Sequence, residues 1–580
     1  MEIGILAIIV IVVLVGTSIV GGRLGIAAPL LLVLIGIGIG YLPITPAVRV
    51  DPSVILYGVL PPLLYSAAVS TPIIDFRRNF KPIAGLSVVL VIISALVIGA
   101  LLHLLIPDIP FAIAVALGAV ISPTDAVAAT SIGKRLGMPE RVVSVLEGES
   151  LVNDATSLVL LKTALAAVAG SFAFWGSVGS FVYSVVAAII VGLLIGFVTV
   201  WIRSHFKNPV YDTVVSFVVP FLAFIPAELL QASGVLAVVV TGLYTGHRAA
   251  RKFSAIARVN ERINWRTLQF VIENGVFLIM GLELYALIGE ATRDSTQLAH
   301  LPLIALALVV ILIVVRGLFM VPLLASLRSN LRRYRSRFDD RSAAAAELRG
   351  RHDADPEELR RATRRAQRTR ADLAHEKDQP LGWRAGVALS WSGMRGVVTL
   401  AAAQSIPTSV PYRAQIVLLA FFVAIITLLL HGLTLPTLIR RLWPSGSGSN
   451  DNREELAALG RELSEVGDAA LDHAVEEAVD AIDSQESTRP PTPAEIIERV
   501  RADSHEVLAP VATPLPETGL INTVTPETPT EAYLRLTRIV LNAQRQLLLE
   551  ERSIGRYSSA ALRSAELAID AQEARLRPLR

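Results

Sequence analysis

The stretch EGESLVND, residues 147–154, places three carboxylates within eight residues, in a segment that otherwise has the composition of a membrane-spanning helix. A carboxylate at the centre of a bilayer costs roughly 2.5 to 3.5 kcal/mol on insertion scales. Glu147, Glu149 and Asp154 must therefore face protein, water or a bound cation rather than lipid. The stretch indicates a helix of a polytopic membrane protein that lines an ion or proton pathway.

The composition of the whole chain agrees with this interpretation. Of its 580 residues, 53% are hydrophobic and 18% are charged, with a mean hydropathy of +0.56, which excludes a purely soluble protein. The chain has no cysteine, so disulfides and thiolate metal sites are excluded. The apolar run at residues 3–16 has no basic residue before it, and we expect a retained first span rather than a cleaved signal peptide.

Apolar stretches near the ~20 residues that a bilayer requires predict an all-α protein with about thirteen transmembrane helices. The predicted spans are residues 3–21, 25–43, 53–71, 83–106, 110–131, 141–169, 177–202, 211–230, 233–246, 267–289, 300–327, 384–406 and 412–438. The eighth is interrupted by Pro220, Pro226 and Glu228, and the ninth is short.

Basic residues alternate between successive loops and so predict the orientation of the chain. One set of loops contains Arg23, Arg77, Arg78, Lys81, Lys134, Arg135, Arg141, Arg203, Lys207, Arg248, Arg251, Lys252, Arg258 and Arg262. The intervening loops contain Arg49, Arg293 and Arg413. The positive-inside rule places the first set in the cytoplasm, which predicts a multi-pass plasma-membrane protein with its N-terminus outside and its C-terminus in the cytoplasm.

Composition also divides the chain into domains. Residues 1–440 form the predicted transmembrane domain, interrupted by a basic, Ala-rich cytoplasmic insertion at 328–383. An acidic and then Pro/Thr-rich linker follows at 441–531, and helical periodicity predicts a cytoplasmic hairpin at 532–580. We interpret the insertion as a solvated helix near anionic headgroups, and the hairpin as self-packed. Regulation is the alternative for both, and oligomer contacts are a further one for the hairpin.

The fifth predicted span contains SPTDA, residues 122–126, which should interrupt the helix. Pro123 lacks an N–H, and Ser122, Thr124 and Asp125 can bond the backbone groups that it frees. Transporters use such unwound points in mid-membrane to coordinate cations. A proline kink capped by Asp125 is the alternative, but it leaves the acidic cluster of the next span unexplained.

Helical periodicity places Glu147, Ser150 and Asp154 on one face of the sixth span, with Glu149 about 100 degrees away from Ser150. A hard monovalent cation prefers oxygen ligands, which Asp154, Ser150 and Thr124 would supply. A carboxylate that binds either a cation or a proton is sufficient for coupled exchange. A purely structural, salt-bridged acid is the alternative for Asp154 and the favoured interpretation for Glu149.

Two arginines lie inside apolar spans, where each needs compensation because a guanidinium keeps its charge. We predict that Arg316 pairs with Glu149. Arg395, within GMRG at residues 393–396, suggests a second interrupted helix where its charge would screen Asp125 or helix-end carbonyls.

Other polar residues of the spans are less informative. Glu273 is expected near the cytoplasmic mouth, where structural pairing and a role in the ion path both remain open. Lys162, two turns beyond Asp154, is expected to snorkel to the outer surface. The histidines His103, His205, His247 and His431 have no metal-ligand spacing and receive no role. No nucleophile with a base, phosphate loop or metal-ligand set is present, which argues against an enzyme.

These motifs resemble the monovalent cation/proton antiporter-1 family, which includes NhaP-type bacterial antiporters and animal sodium/proton exchangers. The resemblance covers roughly residues 5–440. It rests on SPTDAVA (122–128), EGESLVNDA (147–155), ENGVFLIMG (273–281), Arg316 and GMRG (393–396). It implies a 13-span fold of inverted repeats, with crossed discontinuous helices at the fifth and twelfth spans, in a homodimer.

The resemblance further implies secondary active exchange of a monovalent cation, Na+ first and K+ as the alternative, for protons in pH homeostasis, with no cofactor. Asp154 would be the ion- and proton-binding carboxylate beside Asp125. Thr124 and Ser150 would complete the cation ligands, while Glu149 with Arg316 would form a structural salt bridge.

Two positions qualify what the resemblance implies. Asn153 stands where electrogenic relatives carry a second aspartate, which implies electroneutral exchange. Ser66 stands where many members have an acid, so cation affinity and the Na+ preference are left open, and Glu147 has no assigned role. A cation channel and a transporter-fold receptor or scaffold that signals through the tail are the rival functions. The expected partners are cations, protons, the lipid bilayer and a second copy of the chain, with no nucleic acid.

Overall fold

The computed structural model describes residues 2–24, 28–42, 51, 53–168, 174–206, 208–294, 300–328, 330–351, 355–407, 410–444, 449–483, 492–505 and 529–576. Within these ranges the protein is helical and contains no strand, which confirms the predicted all-α class. The chain divides into two compact units. The first comprises Met1–Lys252, Asn260–Arg333 and Lys377–Ser447, and the second comprises Phe253–Val259, Tyr334–Glu376 and Gly448–Arg580.

The helices are numbered along the chain. Those of the first half are α1 (Glu2–Leu24), α2 (Ala28–Gly40), α3 (Leu60–Ser70), α4 (Ile73–Arg78), α5 (Phe80–Ala84), α6 (Leu90–Leu105), α7 (Phe111–Ile121), α8 (Ala126–Arg135), α9 (Glu140–Val168), α10 (Phe174–Arg203), α11 (Pro209–Leu229), α12 (Gly234–Lys252) and α13 (Ala255–Asp294). Those that follow are α14 (Leu301–Arg328), α15 (Asn330–Gly350), α16 (Pro356–Asp378), α17 (Trp383–Trp391), α18 (Val397–Gln404), α19 (Arg413–Leu442), α20 (Ser449–Asp483), α21 (Ala494–His505), α22 (Pro529–Ile554) and α23 (Ser559–Arg575). Two π-helical segments, Val54–Val59 before α3 and Gly85–Val89 before α6, continue the helices beside them.

Seven helical segments among the described residues are long and apolar enough to cross a membrane unaided. They are Phe80–Leu105, Glu140–Val168, Val178–Arg203, Pro209–Leu229, Ala255–Gly289, Leu301–Leu327 and Arg413–Leu442. Shorter apolar helices occupy Ile8–Gly21, Ala28–Gly40, Val54–Ser70 and Phe111–Ile121. Because a span needs ~20 helical residues, the last of these needs α8 to complete its crossing. The total of thirteen spans stays a prediction.

Two helices are interrupted where the sequence predicts a break. Residues 122–125 separate α7 from α8, and residues 392–396 separate α17 from α18. Asp125 and Gly396, the last residues of the two breaks, both have extended backbones. Non-helical backbone at membrane depth is tolerated only when it is enclosed in protein or lines a cavity. Both breaks therefore lie inside the bundle.

The helices of the first unit pack in two groups. Helices α3, α10, α11 and α12 contact one another, and a second group consists of α6 to α9 with α14 and α17 to α19. Helix α13 contacts both groups. Near its start, Trp265 packs against Tyr65 of α3, with ring centroids 4.9 Å apart. Farther along, Glu283 accepts a hydrogen bond of 2.6 Å from Gln404 of α18.

Helix α13 also packs against α2 through glycine. A Cβ atom at Gly281 would lie 2.3 Å from the carbonyl oxygen of Val33, so this approach of two backbones requires glycine.

In the second unit, α20 packs against α21, α22 and α23. Leu459 and Leu463 of α20 join an apolar core with Leu541 and Leu548 of α22, which buries the apolar face of this acidic helix. The structure thus groups α20 with the hairpin, whereas the sequence separated them at residue 531. The Pro/Thr-rich stretch at 506–528 lies outside the described residues.

Candidate ion-binding site

The two helix breaks meet at Asp125. Its N–H donates to the carbonyl oxygen of Met394, in the other break, at 2.8 Å. Its carboxylate accepts the N–H of Val127 at 2.9 Å and so caps α8. A Cβ atom at Gly396 would lie 1.9 Å from Oδ2 of Asp125, so glycine is required there. The N-termini of α8 and α18 therefore lie at one carboxylate, which complements the positive ends of both helix dipoles.

A cavity of about 860 Å³ adjoins this crossing. Asp154 and Ser150, one turn apart on α9, both line it, together with Thr124 and Asp125 of the fifth-span break. Asp154 is buried, with only 6% of its surface exposed. The structure thus brings the predicted carboxylate and hydroxyl groups together at one cavity.

Behind the cavity, Glu149 and Arg316 form a buried ion pair. The two guanidinium nitrogens Nη1 and Nη2 of Arg316 donate to Oε1 and Oε2 of Glu149 at 2.5 and 2.8 Å. The Nε of Arg316 donates to the carbonyl oxygen of Leu389 at 2.8 Å. The bidentate pair joins α9 to α14 and compensates both the carboxylate and the guanidinium charge, and the Nε bond adds α17.

Thr124 and Asn153 extend that ion pair to the crossing. The hydroxyl of Thr124 donates to Oε1 of Glu149 at 2.8 Å and accepts from Nδ2 of Asn153 at 3.1 Å. The same amide donates to the carbonyl oxygen of Thr124 at 3.0 Å. The hydroxyl of Thr124 is thus already engaged with the structural pair. Ser150 accepts the N–H of Ala126 at 3.4 Å, so it too supports the start of α8.

Arg395 lies in the second break and is 3% exposed. Its N–H donates to the hydroxyl of Thr427 at 3.3 Å, while Nε and Nη1 of the guanidinium have no hydrogen-bond partner among the described residues. His431, to which we assigned no role, is also buried and packs against Trp391, with ring centroids 5.4 Å apart. The described residues include no group of three or more acidic or histidine side chains able to hold a metal ion.

Of the remaining predicted residues, Glu147 and Glu273 line the cavity, whereas Ser66 is not among its lining residues. Glu147 lines it and pairs with Lys134 of α8, with 2.6 Å between Oε1 and Nζ. The hydroxyl of Ser66 donates to the carbonyl oxygen of Leu63 in its own helix. Glu273, on α13, lines the cavity and is 6% exposed.

Two charged contacts were not identified in the sequence. Lys162 of α9 donates to Glu228 of α11 at 2.8 Å, and the other carboxylate oxygen of Glu228 accepts the N–H of Gly234. Farther away, Arg203 of α10 binds Asp212 of α11 through two hydrogen bonds of 2.8 Å. Neither contact could be recognised from sequence spacing, because each joins residues of different helices. The one sequence signal for these ion pairs was the presence of acidic residues at predicted span ends.

Comparison with known proteins agrees with this arrangement. Residues 9–441 match the family model described as sodium/hydrogen exchanger, transmembrane. An uncharacterized Na+/H+ exchanger of Mycobacterium bovis is 30% identical over 444 residues, which cover 74% of each protein. A sodium, potassium, lithium and rubidium/H+ antiporter of Bacillus pumilus is 28% identical, over 75% of this chain and 61% of that protein.

A solved structure has the same fold. The sodium proton antiporter MjNhaP1 of Methanocaldococcus jannaschii aligns with a TM-score of 0.55 at 18% identity, over 76% of this chain and 99% of the archaeal protein. The family match spans well over half of the chain and contains both helix breaks, Asp154 and the Glu149–Arg316 pair. The chain is a multi-span membrane protein that belongs to the sodium/hydrogen exchanger family of monovalent cation/proton antiporters.

Proposed function

We propose that this protein exchanges a monovalent cation for a proton across the plasma membrane, with Asp154 as the group that binds both. The observation that supports this proposal most strongly is the position of Asp154. It is a buried carboxylate on the wall of a cavity, one turn from Ser150 and beside two interrupted helices. Discontinuous helices at such a site offer backbone carbonyls and helix dipoles to an ion that must be bound and released.

The exchange follows from the cost of an empty site. An ionised carboxylate without a cation or proton is expensive to carry through a low-dielectric barrier. Asp154 therefore changes sides only when it is occupied, which links the movement of the cation to that of the proton. Asn153 is neutral and held by Thr124, so one carboxylate changes its charge in each half-cycle. We accordingly propose electroneutral exchange.

Alternating access is the proposed form of the movement. The cavity extends from Asp154 to Lys134 and Arg135, which the positive-inside rule places on the cytoplasmic side. In this proposal the structure faces inward. Lys162 and Glu228 join α9 to α11, helices of the two packing groups, beyond Asp154 on the opposite side. Relative movement of the two groups would open this contact and expose Asp154 outside.

Na+ is the proposed cation, with K+ as a second possibility. The Bacillus pumilus relative is a sodium, potassium, lithium and rubidium/H+ antiporter by name, so a broad cation range is attributed to a similar protein. Ser66 provides no charge to this cavity, and its hydroxyl is directed to its own helix. A homodimer and a role in pH homeostasis complete the proposal, and both derive from the family resemblance.

The central test is proton-coupled flux in proteoliposomes. We expect the wild-type protein to dissipate a pH gradient on addition of Na+, whereas Asp154→Asn should lose this activity while remaining monodisperse in detergent. Glu147→Gln is the matched control, since it removes a cavity carboxylate that is paired with Lys134. Retained exchange in Asp154→Asn would overturn the proposal. Cation flux without counter-movement of protons would favour a channel instead.

A further inference from the structure

Among the described residues four carboxylates line the cavity, and two of them have evident structural partners. Asp125 caps α8, and Glu147 is paired with Lys134. Asp154 and Glu273 remain. They lie on different helices, α9 and α13, so the cavity has a second carboxylate that the proposed exchange at Asp154 does not use.

The surroundings of Glu273 leave one oxygen unsatisfied. Glu273 is 6% exposed and lines the cavity one turn after Gln269 on α13. The Oε1 atom is buried and has no hydrogen-bond partner within the described part of the chain. Leaving a buried acceptor without a hydrogen-bond partner costs roughly 1–3 kcal/mol. Such a group in a native structure requires an explanation, and a bound ligand supplies one.

The helix that carries Glu273 is held firmly on both sides of it. Before it, Trp265 packs against Tyr65 and Phe217, with ring centroids 4.9 and 5.4 Å apart. Beyond it, Glu283 is hydrogen-bonded to Gln404. These contacts fix α13 between the two packing groups, so the carboxylate is preorganised at the cavity wall rather than placed on a mobile loop.

We propose that Glu273 is a second cation-binding carboxylate of this cavity, which receives the monovalent cation from the cytoplasmic side before it reaches Asp154. The buried Oε1 atom, which has no hydrogen-bond partner among the described residues, is the ligand. A carboxylate is a suitable ligand for a hard monovalent cation, and the burial of Glu273 strengthens its attraction. This inference rests on the proposed function, because Asp154 remains the site of exchange.

Transport kinetics separate the two sites. Glu273→Gln preserves side-chain size and should raise the apparent KM for Na+ at least about tenfold, within the range seen when a partner group of a metal site is lost, while proton-coupled exchange persists at high Na+. Glu273→Asp should recover most of the affinity. Glu147→Gln should leave KM unchanged within about twofold, since the charge that it removes is already paired. An unchanged KM in Glu273→Gln, or a change equal to that of Glu147→Gln, would overturn the inference.

A binding measurement provides an independent test. Purified Asp154→Asn, which should not transport, should still bind radioactive Na+ saturably through Glu273, and Asp154→Asn combined with Glu273→Gln should lose this binding. Absence of saturable Na+ binding in folded Asp154→Asn would contradict a role for Glu273 without affecting the role of Asp154. Conversely, exchange retained by Asp154→Asn would refute the proposed function whatever Glu273 does.

Discussion

The buried pair between Glu149 and Arg316 yields a quantitative prediction for stability. In Arg316→Met, Glu149 loses both charge-assisted bonds, and Thr124 is its one remaining donor among the contacts described. Two bonds to a charged group at about 1.5–3 kcal/mol each give about 3–6 kcal/mol. The measured cost of breaking a buried pair, about 3–5 kcal/mol, lies in the same range. Glu149 is 1% exposed, so water cannot replace the lost partner.

We expect Arg316→Met and Glu149→Gln each to lower the free energy of unfolding by about 3–5 kcal/mol, measured by equilibrium unfolding in mixed micelles. The double variant should lose clearly less than the sum, with a coupling energy of up to about 3 kcal/mol. Glu147→Gln is the control, because its pair with Lys134 is partly exposed and should contribute under about 1 kcal/mol. Additive losses, or single losses no larger than the control, would refute the argument.

Three further predictions concern other parts of the molecule. Lys162→Gln, which breaks the contact with Glu228, should shift the protein toward the outward-facing state; accessibility of single introduced cysteines would report this directly in a chain without cysteine, and unchanged labelling would contradict it. Gly396→Ala should abolish transport because its Cβ would meet a carboxylate at 1.9 Å, whereas Gly393→Ala, whose nearest contact would be 3.6 Å, should be tolerated; equal activity of the two would refute the crossing geometry. Asp570→Asn, which removes the charge bound by two arginines of the second unit, should destabilise that unit by about 3–5 kcal/mol, visible as faster hydrogen exchange there, and unaltered exchange would argue against the pair's importance.

The helix breaks were predictable because their cause is local. Pro123 removes a backbone donor, and the polar residues that follow it can satisfy the freed groups. The same argument applies to GMRG at 393–396, where a charged residue between glycines has no place in a regular lipid-facing helix. The all-helical class was equally accessible, since long apolar runs leave few alternatives in a membrane.

The orientation of individual polar groups was not predictable. The sequence predicts the hydroxyl of Thr124 as a cation ligand but does not reveal that this hydroxyl donates to Glu149, 25 residues away. Likewise, Glu147 pairs with Lys134 on the neighbouring helix. Glu228 accepts the N–H of Gly234, a contact that exists because α12 begins at that residue. These hydrogen-bond partners depend on how the helices pack against one another. Helical periodicity predicts the face on which a side chain lies, but not the residue that it contacts.

The contrast between Glu147 and Glu273 shows the same limit. Both are acids near the predicted cytoplasmic ends of spans, and periodicity treats them alike. The structure separates them, because Glu147 has a lysine within 2.6 Å, whereas Glu273 has a buried oxygen with no hydrogen-bond partner among the residues that the structure describes. The tail follows this pattern too: the apolar face of α20 was present in the sequence, but its packing against α22 required the fold.

The most direct test of the central claim is the number of protons released when Na+ binds. Calorimetric titration of the purified protein in buffers of different ionisation enthalpy measures this number near the pH at which Na+ and H+ compete. If Asp154 binds both ions in turn, the wild-type protein should release up to one proton per cation bound at Asp154, and Asp154→Asn should lose that release. Na+ binding without proton release in the wild type, or undiminished release in Asp154→Asn, would contradict the account.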